Sequence, residues 1–206
     1  MFLVFDTETT GLPDEAGRGK WEHPSQPWPV SFAGILLRPD LSVIREYHEI
    51  IRIPADVEIH PRALETHGIT REMMDEKGVE PSIVFKSIME LLAETNVHMA
   101  YNLPFDDSVT KAFAKRLSHP NPEHLFGDSH PVDLLTLAKN YLRIPGGNQG
   151  YRYVKLFQAY RRITGVPMNS VYNAHDALDD VRACVDIYRA MTESVTAKGG
   201  ILPEED

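Results

Sequence analysis

The chain opens on a short apolar run, residues 2–5 (FLVF), that ends in two carboxylates, Asp6 and Glu8. A short apolar run that stops at polar residues predicts a buried β-strand. Successive side chains of a strand point to opposite faces, so Asp6 and Glu8 project together and Thr7 projects the other way. Two carboxylates on one face repel each other unless a cation lies between them, which favours a hard divalent metal. A solvated strand end leading into a turn at residues 10–11 is the alternative.

The pattern beyond this strand predicts a mixed α/β sheet flanked by helices. Two further strands at 30–37 and 43–51 extend the first into a three-strand antiparallel meander, and a short strand follows at 97–101 as a parallel strand. Helical spacing predicts helices at 61–66, 70–76, 82–94, 105–117, 132–142, 153–164 and 176–193. The stretch at 119–131 carries three prolines and is expected to be irregular, as is the loop at 143–150. We expect one domain over residues 1–206, with a frayed tail from about residue 194.

Composition narrows the function classes. The net charge is −9, which by itself argues against a nucleic-acid coat, although bound divalent metals would offset several carboxylates. The single cysteine, Cys184, cannot form an internal disulfide, so we expect a reducing, cytoplasmic location. No apolar run approaches 18 residues and no signal peptide is recognised, so we expect no membrane association.

The second acidic motif is NLPFD, which places Asp106 near the start of a predicted helix. Helical spacing puts it on the same side as Val109, Phe113 and Leu117, so it should face inward while Asp107 is turned away. The alternative is an acid that stabilises the helix N-terminus through the helix dipole.

The third acidic motif is HDALDD, which places Asp180 at the start of the last predicted helix. It sits at the edge of an apolar stripe, whereas Asp179 is predicted to point to solvent. His175 precedes the helix and could lean over its N-terminus. A dipole-stabilised acid and an ordinary surface histidine are the alternatives.

Taken together, FDTETTGL, NLPFD and HDALDD occur in the order and spacing of the DEDDh branch of the 3′–5′ exonucleases, and the sequence resembles that family. HGIT at 67–70 and VDLLTLA at 132–138 add to the resemblance. It implies a ribonuclease-H-like fold, with Asp6, Glu8, Asp106 and Asp180 as metal ligands and His175 as general base. Tyr101 stands where relatives often have histidine, and the stretch at 13–29 is longer than the expected turn.

The resemblance also implies the reaction and its cofactor. We expect a two-metal phosphodiester hydrolase that uses Mg²⁺, with Mn²⁺ as a substitute, and releases nucleoside monophosphates from the 3′ ends of single-stranded DNA or RNA, with DNA favoured. The alternative is a nucleic-acid-binding or polymerase-associated subunit with little activity of its own. A polymerase or a second copy of the chain are the candidate protein partners.

Candidate substrate-binding residues lie around the first motif. Hydroxyl and backbone groups of Thr9, Thr10 and Gly11 could grip the terminal 3′-OH, and His67 and Phe105 could contact the terminal nucleotide. Turn chemistry, a helix break and core packing are the respective alternatives. Both tryptophans, Trp21 and Trp28, lie in the long loop after the catalytic strand. They could stack on bases, or they could simply pin the loop to the sheet edge.

Overall fold

The computed structural model describes residues 1–146 and 150–197 and shows a five-stranded mixed sheet. The strands are β1 (Phe2–Thr9), β2 (Pro29–Leu37), β3 (Val43–Ile50), β4 (Val97–Ala100) and β5 (His130–Asp133), in the spatial order β3-β2-β1-β4-β5. The first three strands form the predicted antiparallel meander, and β4 and β5 run parallel to β1. The mixed sheet flanked by helices confirms the predicted fold class.

Seven α-helices surround the sheet within the described residues. They are α1 (Pro61–His67), α2 (Arg71–Lys77), α3 (Pro81–Ala93), α4 (Leu103–Arg116), α5 (Leu134–Leu142), α6 (Leu156–Thr164) and α7 (Ala177–Ala197). Two 3₁₀ turns, Pro122–His124 and Met168–Ser170, complete the helical structure. In the part of the chain that the structure describes, no helix combines the length and the apolar character needed to cross a bilayer.

The sequence prediction lacks strand β5 and places some helix ends differently from the structure. Strand β5 is a four-residue edge strand whose first two residues are exposed, and its Pro131 removes one backbone donor, so its pattern is weak. Residues 132–133 belong to this strand rather than to α5, and α6 begins at Leu156 rather than at residue 153. At the other end, α7 continues to Ala197, so residues 194–197 are helical rather than frayed. Residues 147–149 of the predicted loop and residues 198–206 of the predicted tail lie outside the described residues.

Apolar side chains cover both faces of the sheet. Leu3 and Phe5 of β1 pack with α3 and α4 on one face, where Phe113 of α4 closes the core. Val4, between them, packs with α7 and α5 on the other face, against Val181. The same alternation carries on past Phe5, so Thr7 points towards α4, and Asp6 and Glu8 point towards α7.

The central position of β1 fixes where its carboxylates lie. Strands β1 and β4 are parallel, so their carboxyl ends meet at one edge of the sheet. Helix α4 begins just beyond the end of β4, and Asp106 in its first turn bonds to Thr7 near the end of β1. In open α/β sheets this edge is where ligands bind.

The long loop at residues 10–28 is tied to α4 mainly through its own backbone carbonyls. The guanidinium of Arg116 donates to the carbonyls of Pro27, at 2.7 Å, and Gln26. The Gln26 amide donates to carbonyls of Gly17 and Lys20 inside the loop, at 2.8 and 3.0 Å. The loop is therefore an ordered part of the fold rather than a free flap.

Replacing Arg116 with Met should open this loop without unfolding the sheet. Hydrogen bonds to a charged group contribute roughly 1.5–3 kcal/mol, so local opening should become about 10- to 100-fold more frequent. Limited trypsin digestion, with cleavage after Arg18 or Lys20 as the readout, measures this directly. Arg38→Met at the β2–β3 turn is the control, and equal cleavage rates in the two variants would contradict the tethering role.

Candidate active site

Four carboxylates, those of Asp6, Glu8, Asp106 and Asp180, interact with one another at the carboxyl edge of β1. The site draws on three elements that are far apart in sequence: β1, the first turn of α4 and the first turn of α7. The structure therefore brings together the four acids that the sequence singled out.

Asp106 is 2% exposed and faces inward, as its helical spacing predicted. Its Oδ1 accepts hydrogen bonds from the Thr7 backbone N–H at 3.0 Å and the Thr7 hydroxyl at 2.7 Å. The start of α4 is held in turn by Asp133, whose Oδ1 accepts from the N–H groups of Asn102 and Leu103. Asn102 has φ of 76°, a left-handed conformation that asparagine tolerates.

Asp180 and His175 meet at the start of α7. Ligand atoms of Glu8, His175 and Asp180 all lie within 4.8 Å of one another. The His175 backbone N–H donates to Asp180 Oδ2 at 3.3 Å, and His175 itself has φ of 67°. The other carboxylate oxygen, Asp180 Oδ1, is buried with no hydrogen-bond partner among the described residues.

A network of polar contacts holds the His175 loop in place. Asp176 caps α7 by accepting from the N–H groups of Leu178 and Asp179. Contrary to the sequence prediction, Asp179 does not point to solvent. Its Oδ2 accepts from the backbone and side-chain amides of Asn173, and its Oδ1 pairs with Arg182 at 3.1 Å. The same arginine reaches the carboxylate of Glu46 on β3 at 2.6 Å.

Burial raises the pKa of every carboxylate in the cluster, and repulsion from other members of the cluster adds to this at Asp6 and Glu8. Burial, followed by the charges of Asp106, Glu8 and Asp180, raises the pKa of Asp6 well above its ordinary value. Burial and the charges of Asp180 and Asp106 raise the pKa of Glu8 to about 8. Burial raises the pKa of Asp106 to about 7 although the Thr7 hydrogen bonds act in the opposite direction. Burial likewise raises the pKa of Asp180 to about 7.

This donor set fits a hard divalent cation. Crowded carboxylates with raised pKa values are stabilised in their charged form when a bound cation replaces their protons. Mg²⁺ prefers oxygen ligands. Asp180 Oδ1 is a buried oxygen without a hydrogen-bond partner among the described residues, so it is available to bind a metal ion.

A large groove, which we call the main groove, opens beside the carboxylates. Its volume is about 1140 Å³, and His175 and Asp180 form part of its wall, together with Leu12, Asn102, Tyr153 and Phe157. A second cavity of about 480 Å³, the terminal cavity, is lined by Glu8, Thr9, Gly11, His67 and Phe105 among others. Leu12 lines both and is 79% exposed. Sequence reasoning did not single out Leu12 as a site residue; its only signal was an apolar residue at the end of the first motif.

The predicted substrate residues divide according to where they lie. Gly11, His67 and Phe105 line the terminal cavity, and Phe105 lies outside the packed apolar cores. His67 Nε2 donates to the Thr9 carbonyl at 3.2 Å because its Nδ1 accepts from the Ile69 N–H. Thr9 lines the cavity too, although its hydroxyl donates to the Gly11 carbonyl at 2.7 Å.

Thr10 and the two tryptophans have structural contacts. The Thr10 hydroxyl accepts a hydrogen bond from the backbone N–H of Trp28 at 3.0 Å, which closes the base of the loop. The Trp28 ring packs edge-on against Phe113, 6.3 Å between centroids, and under Arg116 at 4.9 Å. The ring is partly buried and packs against the apolar core, and its role in stacking on bases stays a prediction. Trp21 lies 5.9 Å from the Lys115 ammonium, and its role in stacking stays a prediction.

The chain is similar to two curated DNA-processing proteins. It is 26% identical over 204 residues to the PolC-type DNA polymerase III of Thermotoga petrophila, covering 96% of this chain and 12% of the polymerase. It is 25% identical over 193 residues to exodeoxyribonuclease I of Buchnera aphidicola, covering 90% of this chain and 38% of that protein. The chain thus spans well under half the length of either relative.

Solved structures resemble the fold closely. E. coli exonuclease I in complex with a dT13 oligonucleotide matches with a TM-score of 0.77 at 23% identity, over 96% of this chain and 42% of that chain. The zinc-bound form of the E. coli exonuclease I–ssDNA complex matches with a TM-score of 0.74 at 26% identity, over 94% and 40%. The shared fold is the ribonuclease-H-like mixed sheet.

A family model described as Exonuclease matches residues 3–188, which include every element from β1 to most of α7. Three sequence motifs, the convergence of their acids at one edge of the sheet and this match agree. The chain belongs to the DEDDh-type 3′–5′ exonuclease family.

Proposed function

We propose that this chain is a single, metal-dependent 3′–5′ exonuclease domain that removes nucleoside monophosphates from single-stranded nucleic acid, with DNA as the favoured substrate and RNA as the second. One observation carries the proposal: Glu8, Asp180 and His175 converge within 4.8 Å at the wall of an open groove. The names of the relatives, an exodeoxyribonuclease and a DNA polymerase, support DNA. The single buried cysteine fits a cytoplasmic location.

The metal ligands in this proposal are Asp6, Glu8, Asp106 and Asp180, which hold two Mg²⁺ ions that Mn²⁺ can replace. When bound, the ions neutralise charge on the phosphate oxygens and favour deprotonation of the attacking water. A zinc-bound structure of a relative supports divalent binding in this fold.

His175 acts as the general base in this proposal. Its side chain is exposed beside Glu8 and Asp180, and an imidazole exchanges protons readily near neutral pH. It takes the proton from the water whose oxygen attacks phosphorus, and the bond from phosphorus to the 3′ oxygen breaks. That oxygen is protonated as the shortened strand leaves. The contacts of Asp176 and Asp179 keep the loop in register with the acids.

The terminal nucleotide occupies the terminal cavity. Phe105 offers a half-buried ring, and Leu12 projects an exposed apolar side chain between this cavity and the main groove. An apolar side chain in that place can separate the terminal base from the next one. His67 and Gly11 shape the floor by their backbone and ring contacts.

A second candidate function is that of a polymerase-associated exonuclease with little activity of its own. The match to 12% of a PolC-type DNA polymerase III favours it, because an exonuclease of this size can serve within a larger replicative protein. Binding to a polymerase or to a second copy of the chain would follow from this alternative.

Digestion of end-labelled substrates tests the function. Matched single-stranded DNA, duplex DNA and short RNA are incubated with Mg²⁺, with Mn²⁺ and with EDTA. We expect stepwise shortening of single-stranded DNA from the 3′ end, release of nucleoside monophosphates and no reaction in EDTA. Shortening from the 5′ end, internal cleavage or a rate unaffected by EDTA would contradict the proposal.

Replacing His175 with Ala should lower kcat by roughly 10²–10⁴-fold, as loss of a general base does. Metal binding should survive because the four carboxylates remain, so the thermal shift produced by Mg²⁺ should match that of the unmodified protein. His124→Ala, an exposed histidine on the first 3₁₀ turn, is the matched control. Loss of the Mg²⁺ shift with retained turnover would make His175 a ligand instead of a base.

The metal-free protein should lose stability as pH rises. The folded pKa values of about 7 for Asp106 and Asp180 and about 8 for Glu8 exceed their ordinary values of 3.8 and 4.5. Between the ordinary and the raised values, the folded state holds protons that the unfolded chain has released. The free energy of unfolding therefore falls as pH rises from about 5 to about 8.

Thermal denaturation in EDTA across this range measures the effect. Asp106→Asn keeps an oxygen to accept from Thr7 but removes one charge, so its melting temperature should fall less steeply with pH. Saturating Mg²⁺ should restore the stability of the unmodified protein at pH 8 and have a smaller effect on the variant. Parallel pH curves for the two proteins in EDTA would refute the repulsion.

A further inference from the structure

Positive charge is concentrated in one part of an acidic chain. Residues 134–175 contain six basic side chains and no Asp or Glu, although the whole chain has a net charge of −9. We call residues 134–175 the basic segment. The six side chains are those of Lys139, Arg143, Arg152, Lys155, Arg161 and Arg162. Within residues 1–146 and 150–197, none of the ion pairs involves any of them.

Exposed aromatic rings lie among these cations. Tyr153 is 59% exposed and Phe157 is 50% exposed, although burial of such rings is strongly favourable. The Lys139 ammonium lies 4.7 Å from the centre of the Tyr153 ring. Phe157 and Arg161 are four residues apart on α6, so they share an exposed face of that helix. The segment therefore has one cation–ring contact, at Tyr153, and one ring and cation that share a helix face, Phe157 and Arg161.

The backbone under these rings is anchored to the site. The hydroxyl of Tyr101 donates to the Val154 carbonyl at 2.6 Å, between Tyr153 and α6. Tyr101 directly precedes the start of α4, where Asp106 lies. Tyr153 and Phe157 are thus held at a fixed position relative to the carboxylates.

The rings and the carboxylates also share one cavity. Tyr153, Lys155 and Phe157 line the main groove, whose wall includes His175 and Asp180. A further cavity of about 500 Å³ continues from Phe157 and is lined by Gln158, Arg161 and Arg162. The two cavities share Phe157 in their walls, and their lining residues define a path from Asp180, past two aromatic rings, to two arginines on α6.

We propose that this path, which we call the strand track, binds the single strand upstream of its 3′-terminal nucleotide. Tyr153 and Phe157 stack on successive unpaired bases, and Arg161 and Arg162 contact backbone phosphates. The direction of the strand rests on the proposed function, which places the 3′ end at the carboxylates. Stacking on ring faces tolerates any base, so the track reads single-strandedness rather than sequence.

The same geometry selects against a duplex. The faces of paired bases are already covered by their neighbours, so Tyr153 and Phe157 have nothing to stack on unless the strands separate. The positive charge of the track also explains how a chain with a net charge of −9 attracts a polyanion.

Fluorescence anisotropy with 5′-fluorescein-labelled dT15 in Ca²⁺ tests the stacking role without turnover. Phe157→Leu keeps an exposed apolar side chain on α6 but removes the ring, and it should raise Kd roughly 5- to 150-fold, as loss of one stacked base does. Phe157→Trp should restore the affinity, which a merely structural role would not predict. A 15-base-pair duplex should bind weakly to the unmodified protein and to both Phe157 variants.

The salt dependence of binding tests the phosphate contacts. Removing both arginines (Arg161→Ala with Arg162→Ala) should lower the slope of log Kd against log salt by about 1.4, because each contact to a single strand contributes about 0.7. Arg38→Ala with Lys86→Ala removes the same charge from exposed positions outside the basic segment and should leave the slope unchanged.

Failure of the track and failure of the proposed function are distinguishable. If the unmodified protein digests single-stranded DNA but the Phe157 and arginine variants bind dT15 as it does, the track is wrong and the function stands. If no digestion occurs but binding depends on Phe157, Arg161 and Arg162 as described, the track stands and the function is wrong. A slope that falls equally in the control variant would refute a local contact.

Discussion

Repulsion among four carboxylates at the edge of one sheet is the constraint on which the rest of this molecule depends. Burial is the largest cause of the raised pKa values, about 8 for Glu8 and about 7 for Asp106 and Asp180, and the charges of other cluster members add to the rise at Asp6 and Glu8. Packing of α4 and α7 on opposite faces of β1 opposes this repulsion. Each helix buries an apolar face against the sheet, so Asp106 and Asp180 cannot move away from β1 without exposing that face. The stability of the core thus maintains a site that would otherwise open.

Charge is divided between two regions with different tasks. In the proposed function, the carboxylates concentrate negative charge where cations bind, and Lys155, Arg161 and Arg162 of the basic segment add positive charge in the main groove and the neighbouring cavity. A net charge of −9 conceals this division, because whole-chain composition averages over surfaces that face different ligands. The groove between the two regions is where an anionic strand and cations could be accommodated together.

Residues placed by a short periodic pattern could be predicted from the sequence. Period two fixed the common face of Asp6 and Glu8, and helical spacing turned Asp106 inward, since both depend on local backbone geometry. The resemblance of the motifs joined these local results into one site. Leu12 and β5 could not be placed, because a position between two cavities and an edge pairing depend on residues distant in sequence. Helical periodicity alone could not place Asp179, because hydrogen bonds from Asn173 and an ion pair with Arg182 hold its carboxylate. The contacts of the Trp28 ring could not be foreseen, since its partner Phe113 belongs to α4.

The way the long loop is attached has an evolutionary consequence. Arg116 recognises the loop by main-chain carbonyls of Gln26 and Pro27, and such oxygens are present whatever side chains the loop carries. Most of the loop's exposed positions are therefore free to vary while its docking is preserved. Because the loop includes Leu12, which lines both cavities, such variation alters the entrance to the site and leaves the carboxylates in place. Substitutions in the loop can thus change which substrates reach the site without changing the fold.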